Sequence, residues 1–289
     1  MLRASVPVIR ALGPADVAAL EAFLERHADS SLFLRSNLRA GGVIDRGEPF
    51  QATYVGAFED DHLVGVAAHG WNGNVLLQAP ACIGSVVRTA VERSGRAVAG
   101  IIGPWAQLCA ARHALLMDAR PVRLESREGL FGLALTDLVR PAALAAAGIR
   151  CRPTRESDLD LATRWRVAYS VEILGADEDD ALRAEALTDI ERQHATGAAW
   201  LLEGQDGPLA FSAFNATLPD VVQIGGVYTP PEHRGRGYAR AVVAGSLVAV
   251  AATGVRRAIL FTDADNVAAR RAYEAIGFRE VGDYGLLLF

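Results

Sequence analysis

Residues Val227–Ala241 read VYTPPEHRGRGYARA. The apolar run Val221–Val227 leads into this stretch as a strand, and a small-residue helix leaves it. Strand, glycine-rich turn and helix together aim backbone N–H groups and the positive end of a helix dipole at an anion. Gly235 and Gly237 let the backbone approach a ligand closely and take positive φ. Arg234, Arg236 and Arg240 add charge of the right sign. A plain Gly-Arg surface turn has the same composition, so the surrounding elements have to decide.

Outward from the turn, apolar periodicity and turn residues predict a regular succession. Downstream lie a helix Tyr238–Thr253 ended by Gly254, a strand Arg257–Thr262, a helix Asn266–Ile276 stopped by Gly277, and a closing strand or two in Phe278–Phe289. Upstream lie a strand at Ile149, a helix from Ser157-Asp158 to Leu174, a helix 180–196, and a hairpin of 199–203 with 209–215. The first half repeats this order. It has a strand 8–11, two helices before residue 41, a hairpin of 54–58 with 63–69, a strand 74–78, a helix 83–93, a strand 97–103, a helix 105–116 and one or two closing strands in 123–135. We read a divergent tandem duplication, with domains 1–140 and 149–289 joined by the alanine-rich linker 141–148. The competing reading is one α/β domain with chance similarity.

Composition removes several classes. A chain of 289 residues, 51% hydrophobic and 22% charged, buries substantial cores and is not disordered. A net charge of −5 argues against a nucleic-acid partner, which needs a broad basic footprint. All 29 basic residues other than histidine are arginine, so a Schiff-base lysine and a Walker A loop are both excluded. Cys82, Cys109 and Cys151 are odd in number and far apart, which fits small apolar residues in a reducing cytoplasm. Met1–Gly13 has no uninterrupted signal-peptide core, since Pro7 and Arg10 break it. The apolar stretch Ala241–Val255 is shorter than the roughly 18 residues of a membrane span. The histidines lack metal spacing, so no metal and no membrane partner is expected.

The turn fails as a dinucleotide fingerprint, because G-x-G-x-x-G places Arg240 at its third glycine and no acidic residue follows about twenty positions on. Arg-x-x-Gly-x-Ala does fit, as Arg234, Gly237 and Ala239. A second motif follows in order, from Thr262-Asp-Ala-Asp-Asn266 to Ala272-Tyr273-Glu-Ala-Ile-Gly-Phe278. Over about 149–289 the chain resembles the GNAT superfamily of acyl-CoA-dependent N-acetyltransferases.

The resemblance implies an α/β (α+β) fold of two GNAT-like domains, each a mixed, mostly antiparallel sheet with a central parallel strand pair flanked by helices. It implies acetyl-CoA, or another acyl-CoA, as co-substrate. The pyrophosphate would rest on Arg234, Gly235, Arg236, Gly237, Tyr238, Ala239 and Arg240, with the pantetheine arm along Val227, Tyr228 and Thr229. Asn266 would sit near the pantetheine, and Tyr273 would act as general acid toward the departing thiolate. Read from residues alone, Asn266 is also a helix N-cap and Tyr273 a half-buried aromatic. The implied activity is transfer of an acetyl group to a primary amine of a small molecule or peptide by direct attack. Tyr169 and Glu172 fall in the region that shapes the acceptor site in the family. The first half lacks both the arginine-glycine turn and the tyrosine. It is expected to be structural or to form an acceptor-pocket wall, as in tandem members with one degenerate half. A different class, a non-catalytic acyl-CoA sensor, shares the binding motif; retention of Tyr273 and Asn266 distinguishes the enzyme.

Overall fold

The computed structural model describes residues 6–289; residues 1–5, part of the stretch read for a signal peptide, lie outside the described residues. The chain divides into two compact units, one of Met1–Leu130 with Val281–Phe289 and one of Phe131–Glu280. Each is taken by itself.

The first unit contains β1 (Val8–Ala11), α1 (Val17–Arg26), α2 (Leu32–Gly41), β2 (Ala52–Glu59), β3 (His62–Gly70), β4 (Asn74–Gln78), α3 (Ile83–Ser94), β5 (Gly100–Gly103), α4 (Trp105–Ala114) and the start of β6 (Leu124–Ala134). Its sheet runs β1-β2-β3-β4-β5 and is completed by the C-terminal strand β12 (Arg279–Leu288), paired from Gly285↔Gly103 to Leu288↔Gly100. The neighbours β1 to β4 pair antiparallel, as do β5 and β12, while β4 and β5 are parallel. Side chains alternate between faces along a strand. Ala67, Val75 and Leu77 therefore pack with Val86 and Val87 of α3, whereas Val66, Ala68 and Leu76 pack with Leu20, Phe23 and Leu24 of α1. Helices on both faces explain why VLLQ at residues 75–78 is nearly continuous apolar sequence.

The second unit opens with the end of β6 and continues through α5 (Ala142–Ala145), β7 (Arg150–Pro153), α6 (Leu159–Leu174), α7 (Asp180–Ala195), β8 (Ala199–Gly204), β9 (Gly207–Thr217), β10 (Val221–Tyr228), α8 (Tyr238–Ala251), β11 (Arg257–Asp263) and α9 (Val267–Glu274). The sheet order is β6-β11-β10-β9-β8-β7, with β10 and β11 parallel and β7 to β10 antiparallel. Trp200, Leu202, Val222 and Ile224 face α8, and Ala199, Leu201, Phe211 and Ala213 face α6 and α7. Arg152, 5% exposed, ties β7 to both the α6 entrance and β8 through Asp158 at 2.6 Å and Glu203 at 2.9 Å.

The fold is thus α/β, with two GNAT-like sheets that are mostly antiparallel, each carrying one parallel pair flanked by helices. Each unit repeats the element order read from the sequence. The closing stretches 123–135 and 278–289, each expected to give one or two strands, form one strand each; what differs from a simple tandem is that the chain passes from one unit to the other within them. Phe131 and Leu133 of β6 enter the second unit's core, and Leu287 of β12 enters the first's. The alanine-rich 141–148 carries α5, whose Ala143 and Leu144 pack on the second unit's core. Among the described residues, no helix is long and apolar enough to cross a membrane.

Candidate active site

The site is built where β10 and β11 part. Their parallel ladder runs from Val221↔Arg257 to Ile224↔Leu260. Beyond it, β10 shifts register against β9 between Gly225 and Tyr228, a bulge whose Gly226 has φ +59°. A bulge adds a residue to one strand and bends it. The bend carries Val227, Tyr228 and Thr229 away from β11 and opens a cavity of about 740 Å³.

The turn after β10 forms one wall. Pro231–His233 is a short 3-10 turn, and Gly235 and Gly237 follow at φ +76° and +81°. Gly237 is the N-cap of α8 and has no side chain to satisfy the first helical N–H groups. Among the described residues, none of the N–H groups of residues 235–240 finds an acceptor; the first that does is Ala241, donating to the Gly237 carbonyl at 3.1 Å. A run of unpaired donors at the N-terminus of a 14-residue helix is a fitted anion cradle. Two more polar atoms of this wall, Thr229 Oγ1 and His233 Nδ1, are buried without a partner.

Tyr228, Thr229, Arg234, Gly235, Gly237, Tyr238, Ala239 and Arg240 line the cavity with Val227. Arg236 does not; its side chain is exposed. Arg234 is committed: Nε donates to the Thr229 carbonyl at 2.9 Å, and its two terminal nitrogens meet both oxygens of Glu172 at 2.7 Å. That pairing holds the Glu172 carboxyl below its usual range. Glu172, expected at the acceptor site, lines the same cavity beside the glycine turn, and its pairing with Arg234 makes its carboxylate a weaker base. Among the described residues, Arg240 and Arg271 have no acidic partner, and both line the cavity.

The opposite wall is α9. Asn266 caps it, accepting from the Ala269 N–H at 3.1 Å, which leaves its amide donors for the cavity. Tyr273 lies two turns on, 8% exposed, its ring edge-on to Phe278 at 6.1 Å. Burial raises its hydroxyl above the ordinary phenol value, and the neighbouring Tyr169 adds to the rise. Tyr169 itself does not line the cavity; Arg166 stacks on its ring at 5.5 Å. Ala268, Ala269 and Ala272 complete this wall and were not singled out in the sequence; only Ala269, three residues after Asn266 and four before Tyr273, shares their face by spacing. Among the described residues, no cysteine or serine lines the cavity. Cys151 is inert, its thiol pushed up to about 12 by burial.

In the first unit, β4 and α3 hold the corresponding places, but only residues 79–82 connect them, against 229–237 in the second. The Ala79 N–H donates to Gln107 Oε1 of α4 at 2.6 Å, and Gln78 accepts from Ser30 Oγ at 2.7 Å. At the start of this shorter connection one backbone donor, the Ala79 N–H, is thus taken by a side chain of the same unit. Among the described residues, no cluster of three or more His, Cys, Asp or Glu could hold a metal.

Comparison with known proteins bears on the fold and the family. Residues 160–278 match the Acetyltransferase (GNAT) family, whose chemistry is acyl transfer. A GCN5-related N-acetyltransferase from Sphaerobacter thermophilus is 20% identical, with 97% of this chain and 94% of that one covered and a TM-score of 0.61. A GNAT-family acetyltransferase from Colwellia psychrerythraea is 17% identical over 98% and 99% of the two chains, at a TM-score of 0.52. A tandem GNAT protein from the clavulanic acid biosynthesis pathway is 13% identical over 98% and 97%, at 0.54. At these identities the likeness is one of fold. No curated protein matches the chain.

Proposed function

This chain carries a domain of the acetyltransferase (GNAT) family at residues 160–278, and on that premise we propose that its second unit is an N-acetyltransferase. It moves an acetyl group from acetyl-CoA, or another acyl group from its acyl-CoA, to a primary amine of a small molecule or peptide. The observation that carries this reading is the convergence on one cavity of the unpaired N–H groups of the glycine turn, the parted strands, Asn266 and Tyr273.

The residues divide the work. The α8 cradle holds the coenzyme diphosphate, with the helix dipole adding to the attraction. The free edge at Val227–Thr229 receives the pantetheine arm, and Asn266 donates toward it. The thioester supplies the acyl group; the amine nitrogen forms the new C–N bond as the C–S bond breaks. An amine with pKa near 10.4 must lose its proton first, which costs roughly 4.6 kcal/mol at pH 7. Glu172, held ionised by Arg234, does not serve as that base, and the proton leaves through solvent. Tyr273 donates a hydrogen bond to sulfur as charge develops there. Its raised pKa keeps it protonated at neutral pH, so it gives its proton to the departing thiolate as general acid, and the second proton that the nitrogen sheds on forming the amide restores it. With no cysteine or serine lining the cavity among the described residues, direct attack is favoured over an acyl-enzyme. The first unit, which lacks both the arginine-glycine turn and the tyrosine, takes no part in the chemistry, and the chain works in the cytoplasm.

Acetyl-CoA at a hundredfold over its Kd should stabilise the protein by about 2.7 kcal/mol in thermal melts. Gly237→Glu, which adds a carboxylate and a side chain at positive φ, should abolish the shift. No shift with the unaltered protein removes the coenzyme assignment. A shift without thiol release across a broad amine panel would make the protein a sensor.

A further inference from the structure

One cation beside the proposed reaction centre is unexplained by the coenzyme. Arg166 projects from α6 onto the β10 bulge: a Cβ built on Gly226 would lie 3.5 Å from its NH1. This is the point at which β10 leaves β11, on the sheet face covered by α6 and α7 rather than α8. The guanidinium also stacks on Tyr169, 5.5 Å from ring centre, and Tyr169 lies within electrostatic reach of Tyr273. Arg166 thus stands beside the place where an amine must approach.

Its charge is only partly answered. The side chain is 20% exposed, and its one ion pair is a single bond from NH2 to Asp189 Oδ2 at 3.3 Å. The other oxygen of Asp189 takes Arg192 at 3.1 Å, so one carboxylate serves two guanidinium groups. Among the described residues, Nε and NH1 of Arg166 have no acceptor. A largely buried, under-compensated guanidinium is costly unless a ligand completes it. Its planar donors match a two-oxygen anion, and its field repels a second cation.

Building on the reading above, we infer that Arg166 binds a carboxylate on the acceptor, so that the substrate is a carboxylate-bearing primary amine of amino-acid type rather than a polycationic amine. Arg166 is a specificity residue, and Tyr169 positions it.

The test uses the full chain with acetyl-CoA and matched pairs of acceptors, amino acids against their carboxamides, read as thiol release. The carboxylated members should show at least tenfold higher kcat/KM. Arg166→Gln should bring that ratio to near one, while Arg166→Lys keeps part of it. Equal rates within the pairs for the unaltered protein, silence of both series included, overturn the inference. So does an R166Q variant that loses both members in proportion, as a merely structural residue would. The acetyl-CoA thermal shift, measured on each protein, separates these outcomes from failure of the coenzyme reading: a missing shift in the unaltered chain strikes the proposed function itself.

Discussion

Replacing Tyr273 by Phe removes one oxygen and leaves the ring where it is, edge-on to Phe278 in the second unit's core. Burial is the main influence on the hydroxyl, with a smaller one from Tyr169, and among the described residues no hydrogen bond to it is seen. Stability should stay within about 1 kcal/mol, since deleting an unpaired polar group strands no buried donor or acceptor. If the hydroxyl stabilises the leaving thiolate, kcat should fall about 10²-fold or more, equivalent to at least ~2.7 kcal/mol at 1.36 kcal/mol per decade. Acetyl-CoA affinity should be nearly unchanged. The pH profile gives an independent sign. Burial raises the Tyr273 pKa above its free value near 10, so the donor form persists to pH 10. Activity should therefore climb with pH as the amine deprotonates, without a falling limb below pH 10. Single-turnover thiol release across pH 6–10 measures both. A variant keeping more than a third of kcat refutes the argument, as does a falling limb near pH 8–9 that vanishes with the hydroxyl.

Two further outcomes are expected. Glu172→Gln breaks a two-point pair with Arg234 whose partners are both more than 40% exposed, so stability should fall by no more than about 1 kcal/mol; acetyl-CoA should bind slightly tighter to the released guanidinium, and the acid limb of kcat should persist. Loss of that limb would make Glu172 the base. In the first unit, Arg96 holds Asp45 down to about 2. The pair therefore stabilises the fold above the unfolded value near 3.9, and its contribution of about 2 kcal/mol is lost as pH falls toward 2. Asp45→Asn should flatten urea stability between pH 4 and 2; identical slopes would refute the pairing as the cause.

The sequence by itself determined the element order and the glycine turn. Runs such as VVQIGGV and AILFT, punctuated by glycine, are local signals whose period states strand or helix without knowledge of neighbours. Gly235 and Gly237 sit at φ +76° and +81° because the turn they are in requires it, a property of the residues themselves. Asn266 and Tyr273 share a helix face by spacing alone. The tertiary structure decided the rest. Strand pairing is non-local, so only the fold shows that β12 closes the first unit's sheet and that residues 131–134 belong to the second. Likewise, Glu172 stands 62 residues from Arg234, and an acidic side chain on a helix carries no sign of which distant cation will hold it. Val227–Ala241 could be read as an anion turn from its letters. That it opens onto Tyr273 on one side, and that the bulge beside it lies under Arg166 on the other, follows from the bend in β10, where two glycines let one strand leave its neighbour.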